Sequence, residues 1–311
     1  MVVDRFGRPV TGLRISVTDD CNLNCFYCHR EGCPTSFRKM TAEEIRNIVE
    51  VAVEFGIRKV KLTGGEPLLR DDIVEIVKAV SIPEIDEVSM TTNGTLLSRM
   101  AGELAKAGLH RVNVSLDTLD SDTFHRITGN GSISDVLAGV DAAIDAGLNP
   151  VKLNMVLLAG LNEDEVERMV DYAAQRGAVL QIIELLDVGG NGTGRYHLSL
   201  EDVERELSSK AIAIRTRSMQ ARRKYILPRG EVEVVRPVHN TEFCMRCTRL
   251  RLTPDGYLKP CLMRNDNLVD VLSPIRAGDL KGAHKAFAEA IARREPYFRG
   301  GGSEICVHAR I

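Results

Sequence analysis

Three cysteines fall within eight residues, in the run Cys21-Asn-Leu-Asn-Cys25-Phe-Tyr-Cys28. Thiolates are soft ligands that suit zinc and iron–sulfur clusters, and structural zinc sites typically pair two-cysteine knuckles from separate parts of a chain. Three thiolates on one short loop suit three irons of a cubane 4Fe–4S cluster. The fourth iron then lacks a protein ligand, an open position where another molecule can bind. A zinc site completed by His29 or Cys33 is the alternative that the spacing leaves open. A second group, Cys244, Cys247 and Cys261, has C-x2-C-x13-C spacing and again holds three cysteines. It reads as a second cluster with an open iron, and His239, Cys306 or His308 could instead close it as a zinc knuckle. Next to it stand Arg249 and Arg251. Alternate residues of a strand share a face, and two guanidinium forks on one face suit a polyphosphate.

Such residues need a frame to hold them. From Gly12 to about Ser208 short apolar runs alternate with longer amphipathic ones. The pattern predicts strands over 13–17, 59–62, 87–91, 111–115, 151–157 and 179–185, with helices over 42–55, 71–80, 96–107, 133–146, 164–176 and 200–207. Thr41 and Glu44 form a capping box, Asn162 is placed to cap the fifth helix, and glycines at 56, 108, 147 and 177 follow helix ends. Six βα units imply a parallel sheet with right-handed crossovers, either an open doubly wound sheet or the expected α/β partial (β/α)6 TIM-type barrel. In both, function belongs at the carboxyl ends of the strands. Cys21 to Cys28 follows the first strand, Gly64-Gly65-Glu66-Pro67 the second, Thr91-Thr92-Asn93-Gly94 the third and Ser115-Leu116-Asp117 the fourth. After about Lys210 the pattern changes to short runs over 211–216, 224–227 and 232–236, a hairpin of 250–253 and 257–259 turned by Pro254-Asp255-Gly256, and a helix over 280–294. The expected organisation is a barrel domain over 1–210 and a smaller carboxyl-terminal module over 211–311 that carries the second cysteine group.

Composition narrows the choices. Lys+Arg number 41 and Asp+Glu 43, a formal charge of −2, which lacks the basic excess of a nucleic-acid or anionic-membrane binder. Hydrophobic residues at 44% and charged residues at 27% exclude a mainly disordered or coiled-coil chain. No run approaches the ~18 apolar residues of a membrane span, and the first ten residues carry Asp4, Arg5 and Arg8 in place of a signal-peptide core. A cytoplasmic protein is expected, in a reducing compartment where clustered thiols mean metal or redox chemistry. Arg222-Arg223-Lys224 reads as a solvated charged face, and the glycine-rich run from Gly189 to Gly194 reads as a flexible loop.

The first cysteine loop, with an aromatic before its last cysteine, resembles the signature of the radical S-adenosylmethionine (SAM) enzymes. The resemblance implies that the methionine part of SAM chelates the open iron and that reduction cleaves SAM to a 5′-deoxyadenosyl radical. Gly64-Gly65-Glu66-Pro67 resembles the family motif that contacts the methionine amino group. Over nearly the whole chain, Asp4-Arg5-Phe6-Gly7-Arg8, Leu13 to Asp19, the Thr63 to Arg70 segment, Met90-Thr91-Thr92-Asn93-Gly94, Val112 to Asp117 and Phe243 to Leu262 are similar to the GTP 3′,8-cyclases of molybdenum cofactor biosynthesis. That likeness implies a lyase holding two 4Fe–4S clusters and SAM. It abstracts the ribose 3′ hydrogen of GTP and closes the carbon radical on guanine C8, while the second cluster meets the guanine. An electron donor is implied, as is transfer of the product to the next enzyme, cyclic pyranopterin monophosphate synthase; a homodimer is compatible with the family.

Carried over by motif, the resemblance assigns Cys21, Cys25, Cys28, Arg249 and Arg251 to catalysis, and Cys244, Cys247 and Cys261 to the second cluster. Tyr27, Gly64, Gly65, Glu66, Ser115 and Leu186 match SAM contacts. Arg14, Lys61, Thr91, Lys152, Arg249 and Arg251 match substrate contacts. Independently of the family, Arg14 and Lys152 fall inside predicted strands, where a cation needs a polar mouth or an anion. The chain departs from the pattern at Lys61, where an Arg is usual, at Leu186, where a Met packs on adenine, and at Gln181, where another Arg is usual. The family's tail ends in two glycines, whereas here Gly300-Gly301-Gly302 is followed by Ser303 to Ile311. Two other readings compete: a radical SAM enzyme with an auxiliary cluster acting on a peptide or tetrapyrrole, and a zinc-stabilised binding protein.

Overall fold

Strand β1, Gly12–Ser16, opens a run of βα units. Helix α1, Ala42–Glu54, leads to β2, Lys59–Thr63, and α2, Ile73–Val80, to β3, Glu87–Thr92. Helix α3, Leu97–Lys106, leads to β4, Arg111–Ser115; α4, Ser121–Thr128, and α5, Ile133–Asp145, lead to β5, Lys152–Leu157. Helix α6, Val166–Gln175, precedes β6, Val179–Glu184, and α7, Glu201–Lys210, closes the series. Then come β7, Ala213–Thr216, β8, Arg223–Leu227, β9, Gly230–Val235, α8, Thr241–Met245, β10, Arg249–Leu252, β11, Tyr257–Lys259, β12, Val269–Asp270, α9, Leu272–Arg276, and α10, Leu280–Ala292. The computed structural model describes residues 2–30, 38–186, 193–238 and 240–296. Cys33, His239, Cys306, His308, the 189–192 part of the glycine run and Gly300 to Gly302 lie outside the described residues. Among the described residues no helix is long and apolar enough to cross a membrane.

Among the described residues all twelve strands join one sheet in the order β12-β11-β10-β1-β2-β3-β4-β5-β6-β9-β8-β7, with β1 to β6 parallel. The strands after residue 210 extend both edges of that sheet: β10 pairs with β1 in parallel, and β9 pairs with β6 in parallel. Local signals fix the helix ends. Thr41 Oγ1 accepts from Glu44 N at 3.1 Å while the Glu44 carboxylate accepts from Thr41 N at 2.8 Å, and Gly56, Gly108, Gly147 and Gly177 take positive φ just past their helices. Asn162 stands at the N-cap position of the short turn Glu163–Glu165 that leads into α6, and its carbonyl accepts from Glu165 N, but its side chain makes no cap bond. Its side chain accepts from Leu158 N and donates to the carbonyls of Asp117 and Val156, so it stitches the ends of β4 and β5 together.

Alternation along the strands positions the site. Leu13 and Ile15, Val60 and Leu62, Val88 and Met90, Val112 and Val114, Leu153 and Met155, and Leu180 and Ile182 are all buried on one face. In the opposite phase stand Arg14, Lys61, Ser89, Asn113, Lys152, Asn154, Gln181 and Glu233, and strand register aligns them: Arg251 beside Arg14 beside Lys61, and Asn154 beside Gln181 beside Glu233. Parallel sheets ordinarily bury two apolar faces; this one buries a polar face. Arg222, just before β8, is seven strands from β1, roughly 34 Å in a flat sheet at about 4.8 Å per strand. Yet Arg14 acts on Arg222 electrostatically, and Gln220 N donates to Arg246 O at 2.9 Å. The sheet therefore curls, with the polar face inside and the helices outside.

Candidate active site

The first cysteine loop leaves the carboxyl end of β1 and is held from three sides. Asn24 N and Phe26 N donate to the carbonyls of Thr128 and Ile127 at the end of α4. Phe26 and Tyr27 pack with Ile127, Leu158, Leu185 and Tyr196. On the other side, Gly65 N donates to Thr18 O and Glu66 N to Asp20 O, directly before Cys21. A Cβ on Gly65 would lie 2.1 Å from Asp20 O, so only glycine permits this approach. Asn22 Nδ2 reaches Thr95 Oγ1 at 2.9 Å, and Asn93 Nδ2 reaches Asn22 Oδ1 at 2.8 Å. The loops after β1, β2 and β3 thus form one unit.

The three thiols suit iron. Leu23 N and Arg30 N each donate to a sulfur, that of Cys21 and Cys28, at 3.4 Å, contacts that favour the thiolate form and tune a cluster it holds. Burial, then Asp117 and the thiols of Cys28 and Cys21, push Cys25 well above its ordinary value, and burial raises Cys21 as well, so binding of a metal must displace protons. Among the described residues no three His, Cys, Asp or Glu side chains stand together as ligands of one metal ion. Cys21 and Cys28 both act electrostatically on Cys25, so the three thiols are neighbours on one loop, the donor set that three irons of a cluster take.

The predicted SAM residues divide. Tyr27 hydroxyl donates to Asp117 at 2.6 Å, and burial lifts Asp117 to about 6. Ser115 lies on the inner face beside Asn154, and Gly64 and Gly65 line the turn against Thr18 to Asp20. Glu66 is fully buried and spent within the protein: its carboxylate accepts from Leu68 N at 3.0 Å, Thr92 Oγ1 at 2.7 Å and Asn93 N at 2.6 Å. It positions two loops. Leu186 is half-buried past the end of β6, and it is its neighbour Leu185 that packs under Tyr27.

The predicted substrate residues converge. Burial lowers Lys61 well below its usual range, and Arg111, Arg14, Arg249 and Lys152 lower it further, so these cations share one space. Lys61 Nζ donates to Asn113 Oδ1 at 2.7 Å, and Thr91 sits beside Asn113 in the sheet. Burial brings Lys152 down to about 8 although it is paired with Glu233. Burial opposes ionisation of Glu233, but Arg222, Lys152 and Arg217 outweigh it and hold its carboxyl at about 2. Arg251 is buried opposite Lys259 on β11. A buried surplus of cations is costly unless an anion joins it.

The second thiol group occupies the other end. Because β10 runs parallel to β1, Cys244 and Cys247 lie at the amino ends of the barrel strands, away from the carboxyl ends where function was expected. The β10–β11 hairpin brings Cys261 back to that end, level with Arg249. Strand β1 has five residues, roughly 16 Å at 3.3 Å each, so the cationic layer lies between two thiol groups about a strand's length apart. Burial works to raise Cys247, but Arg251, Arg249, a backbone hydrogen bond and Arg294 outweigh it and hold the thiol below its ordinary value.

Sequence reasoning missed Arg111, Arg217, Arg222 and Glu233. Arg222-Arg223-Lys224 is a solvated face only at Arg223; Arg222 is 6% exposed and points inward. The visible signal was Glu231-Val232-Glu233-Val234, an alternation that implies one polar strand face. Helix α4 also escaped, being two turns long.

The curled parallel sheet with a three-cysteine loop at its carboxyl end defines a class, the radical SAM proteins. The Radical SAM superfamily model matches residues 15–173, and the Molybdenum Cofactor Synthesis C model matches 178–299. Solved structures agree on the fold: Streptococcus suis SuiB bound to S-adenosylmethionine gives a TM-score of 0.67 at 20% identity, over 86% of this chain and 64% of that one. Native anSMEcpe with bound AdoMet gives 0.59 at 17% identity, over 89% of this chain and 82% of that one. Proteins named probable GTP 3′,8-cyclase are much nearer in sequence. That of Methanothermobacter marburgensis is 52% identical over 96% of this chain and 99% of its own, and that of Pyrococcus abyssi 49% identical over 96% and 100%. The chain belongs to the GTP 3′,8-cyclase family of radical SAM enzymes. SAM and an iron–sulfur cluster are the cofactors of that class.

Proposed function

We propose that this chain is a lyase that converts GTP to 3′,8-cyclo-GTP. The observation that carries the reading is the cationic layer, Arg14, Lys61, Lys152, Arg249 and Arg251, between two three-thiol groups at opposite ends of one curled sheet. A nucleoside triphosphate matches that layout: its anionic part meets the cations, its ribose faces the first thiol loop and its base the second. Cys21, Cys25 and Cys28 would hold a 4Fe–4S cluster, and Cys244, Cys247 and Cys261 a second. With SAM bound, the first cluster would pass one electron from the donor to the sulfonium, breaking its bond to C5′ to give methionine and the carbon radical that abstracts hydrogen from substrate. The remaining work is done by the chain's own groups. Arg249 and Arg251 offer guanidinium forks on one strand face, Lys61 and Lys152 offer point charges, and burial of these groups strengthens each charge interaction.

An electron donor and a following enzyme that takes the product, cyclic pyranopterin monophosphate synthase, complete the proposed setting; a homodimer is compatible with it. The division into 1–210 and 211–311 is kept, since α7 ends at Lys210 and the later strands are the sheet's extensions. The test is an anaerobic assay of the reconstituted enzyme with SAM, reductant and GTP, read by mass spectrometry. GTP-dependent 5′-deoxyadenosine and a new product of GTP's own mass are expected. Deoxyadenosine without that product would withdraw GTP and direct the search to peptides and tetrapyrroles.

A further inference from the structure

We propose that Arg222 is an additional phosphate-binding residue of the substrate site, held in readiness by Glu233 and Gln181. The inference rests on the reading of the site as one for a nucleoside triphosphate and adds a residue from outside the six-strand barrel. Arg222 precedes β8, in a segment that extends the far edge of the sheet, and the curl of the sheet brings it over the polar face. Its Nη1 pairs with Glu233 Oε1 at 2.7 Å and donates to Gln181 Oε1 at 3.3 Å. Arg14, Arg111 and Arg217 all act on it, and it acts in turn on Arg249, so it belongs to the same cationic layer.

Two observations point to an anionic ligand here. Arg222 is 6% exposed, and its Nε is buried with no hydrogen-bond partner among the described residues. A buried guanidinium donor without an acceptor, among other cations, is satisfied by an anion. The backbone before it is strained: Gln220 and Ala221 have φ of +61° and +49°, the left-handed region that non-glycine residues avoid. Two consecutive residues in that region persist only when their surroundings hold them there, a pattern that concentrates at functional sites. Here the strain turns Arg222 inward, and Gln220, 4% exposed, is tied through its N–H to Arg246 between Cys244 and Cys247. Glu233 faces Lys152, Arg217 and Arg222, so one carboxylate aligns three cations without neutralising them.

The experiment is isothermal titration of the reconstituted, SAM-loaded enzyme and its Arg222→Gln and Arg222→Lys variants with GTP, guanosine and inorganic tripolyphosphate. Arg222→Gln should weaken GTP and tripolyphosphate roughly ten- to hundred-fold, the loss of one charge-assisted contact, and leave guanosine within about two-fold. Arg222→Lys, which keeps the charge and loses the fork, should fall between. Unchanged affinity for GTP and tripolyphosphate in Arg222→Gln would overturn the proposal. An equal loss for guanosine and GTP, or loss of iron, would also overturn it, because Arg222 would then be a structural brace. A wild-type enzyme that binds tripolyphosphate in an Arg222-dependent way but does not bind GTP would support the phosphate contact and remove GTP as substrate.

Discussion

At Glu66 burial and hydrogen bonding pull in opposite directions. Three donors favour its carboxylate, yet burial wins and lifts the group from 4.5 to about 7. A carboxyl raised on folding binds more protons in the folded state between those two values. The stability it contributes is therefore present in full below about pH 4.5 and is lost as pH rises through about 7, by about 1.4 kcal/mol for each pH step of one between them. The unfolding midpoint in denaturant, measured anaerobically, should fall across that window. In Glu66→Gln the amide is neutral throughout, so the same part of the profile should flatten, at a lower overall stability because one acceptor becomes a donor facing donors. A wild-type slope that survives unchanged in Glu66→Gln would assign the pH response to other groups. The carboxylate's bonds to Thr92 and Asn93 also mean that the substitution disturbs the loop beside Cys21, and SAM affinity should drop with stability.

Between elements, Asn162 is the joint to test. It is wholly buried and serves β4, β5 and the turn after them with three hydrogen bonds. Asn162→Ala leaves two carbonyls and one N–H without partners, at about 1–3 kcal/mol each when buried, and should lower unfolding stability by roughly 3 kcal/mol or more. Asn162→Asp keeps the acceptor for Leu158 N but turns a buried carboxylate oxygen on the two carbonyls, so it should recover nothing at neutral pH; a small effect of both would show that water replaces the side chain. The six βα units, the capping box and the glycine stops were legible because each is written in neighbouring residues. Asn162 was not, since its spacing before an acidic turn mimics a cap while its partners lie up to 45 residues away. The pairing of β10 with β1 was hidden for the same reason, and with it the placement of Cys244 and Cys247 at the far end of the barrel. Arg222 was masked by its two charged neighbours. Arg14 on β1 and Lys152 on β5 stood out in the sequence because each breaks an apolar rhythm, whereas Arg111 on β4, at the start of its strand, did not.

At the scale of the whole molecule, the amino-terminal segment and the end of α10 meet on the second thiol group. Arg294, 1% exposed, pairs with Asp4 at 3.1 Å, donates to the carbonyls of Arg8 and Pro9, and reaches the carbonyl of Cys247. Arg8 pairs with Asp4 at 2.9 Å and donates to the carbonyl of Cys244 at 2.9 Å. One buried network therefore fixes the backbone at Cys244 and Cys247 to segments nearly three hundred residues apart. Buried pairs add little net stability when intact, but removing one partner strands a charge at about 3–5 kcal/mol. Arg294→Met should lower the unfolding midpoint and, on the proposed two-cluster reading, cut iron from about eight to about four per chain, the loss falling on the second group. SAM cleavage in the absence of GTP should persist, while GTP conversion should fail. Replacing Asp4 as well, in Asp4→Asn/Arg294→Met, should lower the stability further, because Arg8, also buried, then loses the carboxylate it pairs with, and should not restore the iron, since the carbonyl of Cys247 still lacks its donor. Full iron in Arg294→Met with a lowered midpoint would make the network a brace of the fold alone, with the thiol loop held by α8 and the strand that follows it.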